Sequence, residues 1–119
     1  DNSRIPEVNL SSTFFQIIDE ISSNMYGATA VIESDKIIGV ITDGDIRRII
    51  EKKHDINSVL ASDLMNKDPK VLIESTLAYD AIGVMKKNNI SQVLVIDDNG
   101  IYKGVVHILD IIKQGISYE

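Results

Sequence analysis

Gly39-Val40-Ile41-Thr42-Asp43-Gly44-Asp45-Ile46 and, later in the chain, Gly104-Val105-Val106-His107-Ile108-Leu109-Asp110-Ile111 share one pattern. A glycine opens each, two β-branched apolar residues follow, and the polar side chain after them has an aspartate three residues on. β-Branched residues favour strands, and acidic residues gather in the first turn of a helix, so each stretch reads as strand turning into helix. Working outward, Ile17-Ile18-Asp19-Glu20-Ile21 through Ala28-Thr29-Ala30-Val31-Ile32 lines up with Ala81-Ile82-Gly83-Val84-Met85 through Gln92-Val93-Leu94-Val95-Ile96. The spacing drifts from about 63 to 65 residues, as expected of an internal repeat with small insertions in its loops.

The periods within each copy name its elements. Phe14, Ile17, Ile18, Ile21 and Met25 recur at helical spacing, as do Leu77, Ala81, Val84 and Met85 with Ile82 flanking. Thr13, with Gln16 three residues on, reads as a capping box opening the first of these helices. Two short runs follow each helix, Thr29–Glu33 with Ile37–Thr42 and Val93–Asp97 with Ile101–Val106. Ser34-Asp35-Lys36 and Asp98-Asn99-Gly100 supply hairpin turns between them. A second helix carries Ile46, Ile49 and Ile50 in one copy and Ile108, Ile111 and Ile112 in the other, and extended pieces at Pro6–Val8 and Lys70–Ile73 lead the copies in. The expected fold class is α/β (α+β), with two pseudo-symmetric β-α-β-β-α repeats packed as one module. Residues 1–61 form the first repeat with its leading strand and the start of the linker, and 62–119 the second. Ser58–Asp68 is expected to hold one short helix before Pro69, whose ring blocks continuation.

Composition narrows the function classes. The chain has 119 residues, 44% apolar and 25% charged, the balance of an ordinary globular protein. Each half is about 60 residues and would bury too little surface alone, so the halves are expected to lean on one another. A net charge of −6 argues against a nucleic-acid surface and an acidic membrane, and no apolar run of about 18 residues spans a bilayer. Without cysteine there is no disulfide or thiolate nucleophile, which fits a reducing cytoplasm. His54 and His107 lie too far apart in sequence for a ligand cluster, and no metal site is expected. His54 is expected to face solvent, and Met25, Met65 and Met85 to fill core space. Lacking an initiating Met, the sequence is expected to belong to a longer chain.

The repeats resemble the CBS domain family, whose members occur in pairs as ligand-sensing appendages of enzymes, channels and transporters. The family marker, Gly-hydrophobic-hydrophobic-Thr/Ser-x-x-Asp, is Gly39-Val40-Ile41-Thr42-Asp43-Gly44-Asp45 here, and the resemblance runs from Pro6 to about Gly115. Gly27–Ile32, Thr42–Arg48 and Gly104–Asp110 are further similar to the C-terminal region of arabinose-5-phosphate isomerases of the KpsF/GutQ type. That similarity implies an N-terminal sugar-isomerase domain in the full-length protein, making arabinose 5-phosphate for the lipopolysaccharide sugar Kdo. It also implies a homodimer of CBS pairs and a regulatory ligand, AMP or ATP or the pathway product CMP-Kdo, with no required cofactor.

A helix start offers free N–H groups and a positive dipole end, suited to a phosphate. Thr42 stands where its hydroxyl can donate to one. Asp45 is an acceptor for ribose hydroxyls, the use the family makes of the matching Thr and Asp. Arg47 and Arg48 add positive charge in the same turn. Thr29, Ala30 and Val8 are candidates to line a base pocket. In the second copy His107 replaces Thr and Asp110 is kept, with Gln92, Val93 and Lys103 as further candidates. Capping alone also explains Thr42 with Asp45, for about 1 kcal/mol, and Arg47 with Glu51 has the spacing of a solvated ion pair. No phosphate loop, dinucleotide turn or zinc-protease helix is present, no catalytic residue is assigned, and the fragment is not expected to be an enzyme. Two functions stand: an allosteric nucleotide sensor, and a ligand-free dimerisation module.

Overall fold

The computed structural model describes residues 5–24, 26–52 and 55–117; Met25 and His54 lie outside the described residues. The chain forms two compact units, Asp1–Pro69 and Lys70–Glu119. In the first, strand β1 (Glu7–Val8) leads to helix α1 (Phe14–Asn24), a hairpin of β2 (Ala28–Glu33) and β3 (Lys36–Thr42), and helix α2 (Asp43–Glu51). A single 3-10 turn (Ile56–Ser58) and helix α3 (Ala61–Leu64) follow. The second unit holds β4 (Val71–Ile73), α4 (Ala78–Lys87), β5 (Gln92–Ile96), β6 (Tyr102–His107) and α5 (Ile108–Ser117). The β-α-β-β-α order occurs twice, in a mixed α+β chain.

Each unit has one three-stranded sheet, in the order β1-β2-β3 or β4-β5-β6. The leading strand runs parallel to the next, and the hairpin is antiparallel. Registers repeat between the units: Val8 pairs with Val31 as Leu72 does with Val95, and Ala28 pairs with Thr42 as Gln92 does with His107. A bulge interrupts both hairpins at the same place, Val31/Ile32 and Val95/Ile96. The spacing is 64 residues up to the hairpin turn and 65 beyond it. The first turn is Ser34-Asp35, with φ of 51° and 66°, as a two-residue type I′ connection requires. The second is one residue longer: the Asp97 carboxylate accepts from the Asn99 and Ile101 N–H groups at 2.8 and 2.9 Å, and Gly100 takes a φ of 83°. That residue is the insertion.

The capping box at α1 is formed, with the Gln16 N–H donating to Thr13 Oγ1 (3.2 Å) and the Thr13 N–H to Gln16 Oε1 (2.9 Å). Helix α1 buries Phe14, Ile17 and Ile21; α4 buries Ala81 and Met85. Leu77, expected on that buried face, is 70% exposed. It is the residue before α4, in extended conformation, so helical periodicity does not reach it.

The core of the first unit gathers Ile17, Ile21, Val31 and Ile41 against Ala61, with Val8, Ile46, Leu64 and Met65 packed round it. The connecting segment thus seals this core, and the sequence division at 61/62 runs through the start of α3. Its seating depends on Gly39. Asn66 pairs with the outer edge of β3, exchanging N–H···O bonds of 2.9 and 3.1 Å with Val40. A Cβ on Gly39 would meet Met65 Sδ at 2.7 Å and the Asn66 carbonyl at 3.0 Å.

Gly39→Ala is therefore expected to lower unfolding stability by roughly 1–3 kcal/mol, the usual cost of overpacking. Gly83→Ala, on the exposed side of α4 with no atom within 4 Å of the new methyl, should raise it by about 0.5–1 kcal/mol. Urea denaturation of both variants checks the pair.

Candidate functional site

Thr42 ends β3 and caps α2. Its Oγ1 accepts from the Asp45 N–H (3.3 Å), and its own N–H donates to Asp45 Oδ2 (2.9 Å). The other carboxylate oxygen of Asp45 is held by the Arg48 guanidinium. The capping reading is thus realised, and Asp45 is spoken for at both oxygens. No ion pair joins Arg47 to Glu51 among the described residues; the pair that forms is Arg48 with Asp45. Both arginines fold back over the first turn, since a Cβ on Gly44 would lie 3.4 Å from Arg48 Nη1 and 3.7 Å from Arg47 Nη2. Two guanidinium groups therefore stand beside the Asp43 and Asp45 carboxylates of the first turn, whose negative charge suits the positive end of the helix dipole.

The remaining first-unit candidates sit further in. Thr29 and Ala30 are fully buried in β2, with the Thr29 hydroxyl donating to the Ala30 carbonyl (3.2 Å). Val8 pairs with Val31 and packs on the core, away from the Thr42 turn. Thr42, Asp45 and Arg48 come together directly, Arg47 stands beside them, and the strand residues form the interior behind.

His107 occupies the same turn in the second unit, paired with Gln92. Its Nδ1 accepts from the Leu109 N–H (3.1 Å), so a neutral imidazole carries its proton on Nε2, which meets no acceptor among the described residues. The Asp110 carboxylate makes no hydrogen bond or ion pair among the described residues, unlike that of Asp45. Val93 is buried and pairs with Val106, and Lys103 is exposed on β6, four residues before the turn. A bond not foreseen from residue order ties each turn to the residue just before the hairpin: the Asp43 N–H donates to the Gly27 carbonyl and the Ile108 N–H to the Ser91 carbonyl, both at 2.8 Å. Only the repeat alignment, which sets Gly27 against Ser91, could have pointed there.

The family model described as CBS domain matches residues 2–52 and again residues 61–116, the second match beginning at α3 of the first unit. The chain belongs to the CBS domain family. Among curated relatives, this CBS pair is 36% identical over 114 residues to the uncharacterized protein RP505 of Rickettsia prowazekii, covering 95% of the chain and 35% of that protein. It is 34% identical over 107 residues to the arabinose 5-phosphate isomerase KpsF of Escherichia coli, covering 89% of the chain and 33% of the relative. The chain spans about a third of the length of the curated relatives it matches, and the other two thirds lie outside the match. Among solved structures, the CBS domain protein PAE2072 from Pyrobaculum aerophilum, complexed with AMP, superposes with a TM-score of 0.82 at 21% identity. The match covers 98% of this chain and 95% of that one. The CBS domain structure NE2398 gives 0.83 at 18% identity, over 97% and 91% of the two chains. No helix among the described residues is long and apolar enough to cross a membrane.

The different state of the two aspartates gives a direct check. Asp45→Ala removes one arm of a capping box and an ion pair, and should cost about 1 kcal/mol in thermal or denaturant unfolding. Asp110→Ala removes no such contact and should stay within about 0.5 kcal/mol of the parent.

Proposed function

We propose that this CBS pair is a regulatory module binding a nucleotide-type ligand, with phosphate at a strand-to-helix turn and ribose on the aspartate of that turn. The observation that carries the reading is the cluster at α2, where the Thr42 hydroxyl, two guanidinium groups and a helix start converge on one turn. The family's use of the matching Thr and Asp, and the AMP carried by the PAE2072 structure, support an adenine nucleotide as ligand. Thr42, Asp45, Arg47 and Arg48 serve the first site, with Thr29, Ala30 and Val8 behind them. His107 and Asp110 serve the second, with Gln92, Val93 and Lys103. CMP-Kdo enters on pathway reasoning alone. The kinship with KpsF supports an attached sugar-phosphate isomerase as the regulated partner.

A thermal-shift panel of AMP, ATP and CMP-Kdo tests the reading. A ligand present at 100 times its Kd should stabilise the fold by about 2.7 kcal/mol. Asp45→Ala and Asp110→Ala together should abolish the shift while leaving the fold intact. If no member of the panel moves the Tm, the sensor reading fails.

A second reading, a dimerisation surface, has its own observation. Helix α2 buries none of its residues, although Ile46, Ile49 and Ile50 make an apolar stripe along it, and Ile50 is 52% exposed. Ile18, Ile21, Ile46 and Ile50 border a groove of about 320 Å³ between α1 and α2. We propose that this face packs against the same face of a second copy, as two-fold pairing of identical surfaces favours. Sedimentation equilibrium should then show a dimer that Ile50→Asp converts to monomer. A parent chain that sediments as a monomer at high concentration would end this second reading.

A further inference from the structure

We propose that Met65 is an oxidation site, and that adding one oxygen to its thioether lifts the connecting segment off the core of the first unit. The chain has three methionines. Oxidation of a thioether follows its exposure, and Met85 is completely buried, so that sulfur is shielded. Met25 lies outside the described residues. Met65 stands at the margin of a core. It packs against the cluster of Ile17, Ile21, Val31, Ile41 and Ala61 but stays partly exposed, and Asn66, Lys67 and Asp68 after it are all exposed.

The surroundings of the sulfur leave no place for an added oxygen. A Cβ on Gly39 would lie 2.7 Å from Met65 Sδ and 3.0 Å from Met65 Cβ, so the thioether rests directly on the bare backbone of β3. An unbranched, polarizable side chain suits that seat while it is reduced. A sulfoxide oxygen is a polar acceptor, and burying it without a donor is unfavourable. The neighbouring amides are committed: Val40 and Asn66 donate to each other's carbonyls at 3.1 and 2.9 Å, and the Met65 N–H donates to the Ala61 carbonyl at 2.9 Å. The oxidised side chain therefore turns to water and draws Asn66 away from Val40. Ile17, Val31 and Ile41, fully buried in the reduced protein, lose part of their cover. The strand that loses its edge partner is β3, which ends at Thr42.

The oxidant is a hydroperoxide. The sulfur lone pair takes one oxygen as the O–O bond breaks, and the other oxygen leaves as water or an alcohol after a proton shift. Sulfur gives up two electrons and the peroxide gains them. Methionine sulfoxide reductases reverse the step, which makes it a switch rather than a lesion.

Hydrogen peroxide is the probe, applied to the 119-residue chain without nucleotide, so the outcome does not depend on any ligand. Peptide mass mapping should find one added oxygen accumulating on Met65 about tenfold or more faster than on Met85. In the oxidised chain the Val40 and Asn66 amides should exchange with deuterium about tenfold or more faster, and reductase treatment should restore the original rates. Met65→Leu keeps the aliphatic bulk without the sulfur, and its Val40 amide should exchange equally with and without peroxide. Equal oxidation of Met65 and Met85 overturns the proposal, as does an oxidised Met65 with Val40 exchange unchanged. So does a Met65→Leu chain whose Val40 amide still responds to peroxide, since another residue would then be the sensor. The mapping and exchange measurements on the parent chain need no substitution.

Discussion

In each unit the hairpin pairs the last residue of its second strand with the first residue of the strand before, Thr42 with Ala28 and His107 with Gln92. The next amide then donates back across the sheet, Asp43 to Gly27 and Ile108 to Ser91. Strand and helix are therefore joined with no slack, and the first helical turn is pinned to the sheet edge. A one-residue slip would turn every inward side chain outward and carry the polar residue of the turn away with it. The placement of Thr42 and His107 follows from that pairing, before any question of what they bind.

Much of this was readable from residue order because two physical periods are strong. β-Branched runs bounded by Ser34-Asp35 and by Asp98-Asn99-Gly100 locate both hairpins to within a residue, and helical spacing finds Phe14, Ile17 and Ile21. Leu77 was misplaced because a periodic pattern does not say where the helix itself begins, and no side chain caps that end. The site was less legible. Thr42 and Asp45 stand out, yet the sequence offers Arg47 and Arg48 equally, and only the fold shows which of them holds the carboxylate. The burial of Thr29 and Ala30 was hidden too, since strand patterns do not reveal how thickly a face is covered.

The two units share a plan and differ in their finish. The first has a capped α1, a capped α2 and a core closed by the connecting segment. The second has no side-chain cap on α4, an imidazole in place of the hydroxyl at α5, and an open cavity where the first has Ala61, Leu64 and Met65. Divergence has accumulated at the helix starts and the sheet covering, while strand register and bulge position have stayed fixed. That division is what packing predicts: register errors disturb a whole sheet, whereas a lost cap costs about 1 kcal/mol.

The Arg48–Asp45 contact gives the first turn an occupant of its own. Arg48 is 60% exposed on its side chain and Asp45 21%, so the contact is open to water and to salt. A molecule seeking that carboxylate competes with a tethered guanidinium whose effective concentration is set by three residues of helix. Dissolved ions weaken such a contact by screening it. The readiness of the turn to accept a newcomer is thereby tied to ionic strength, and the surrounding electrolyte becomes a silent second input to this half of the molecule.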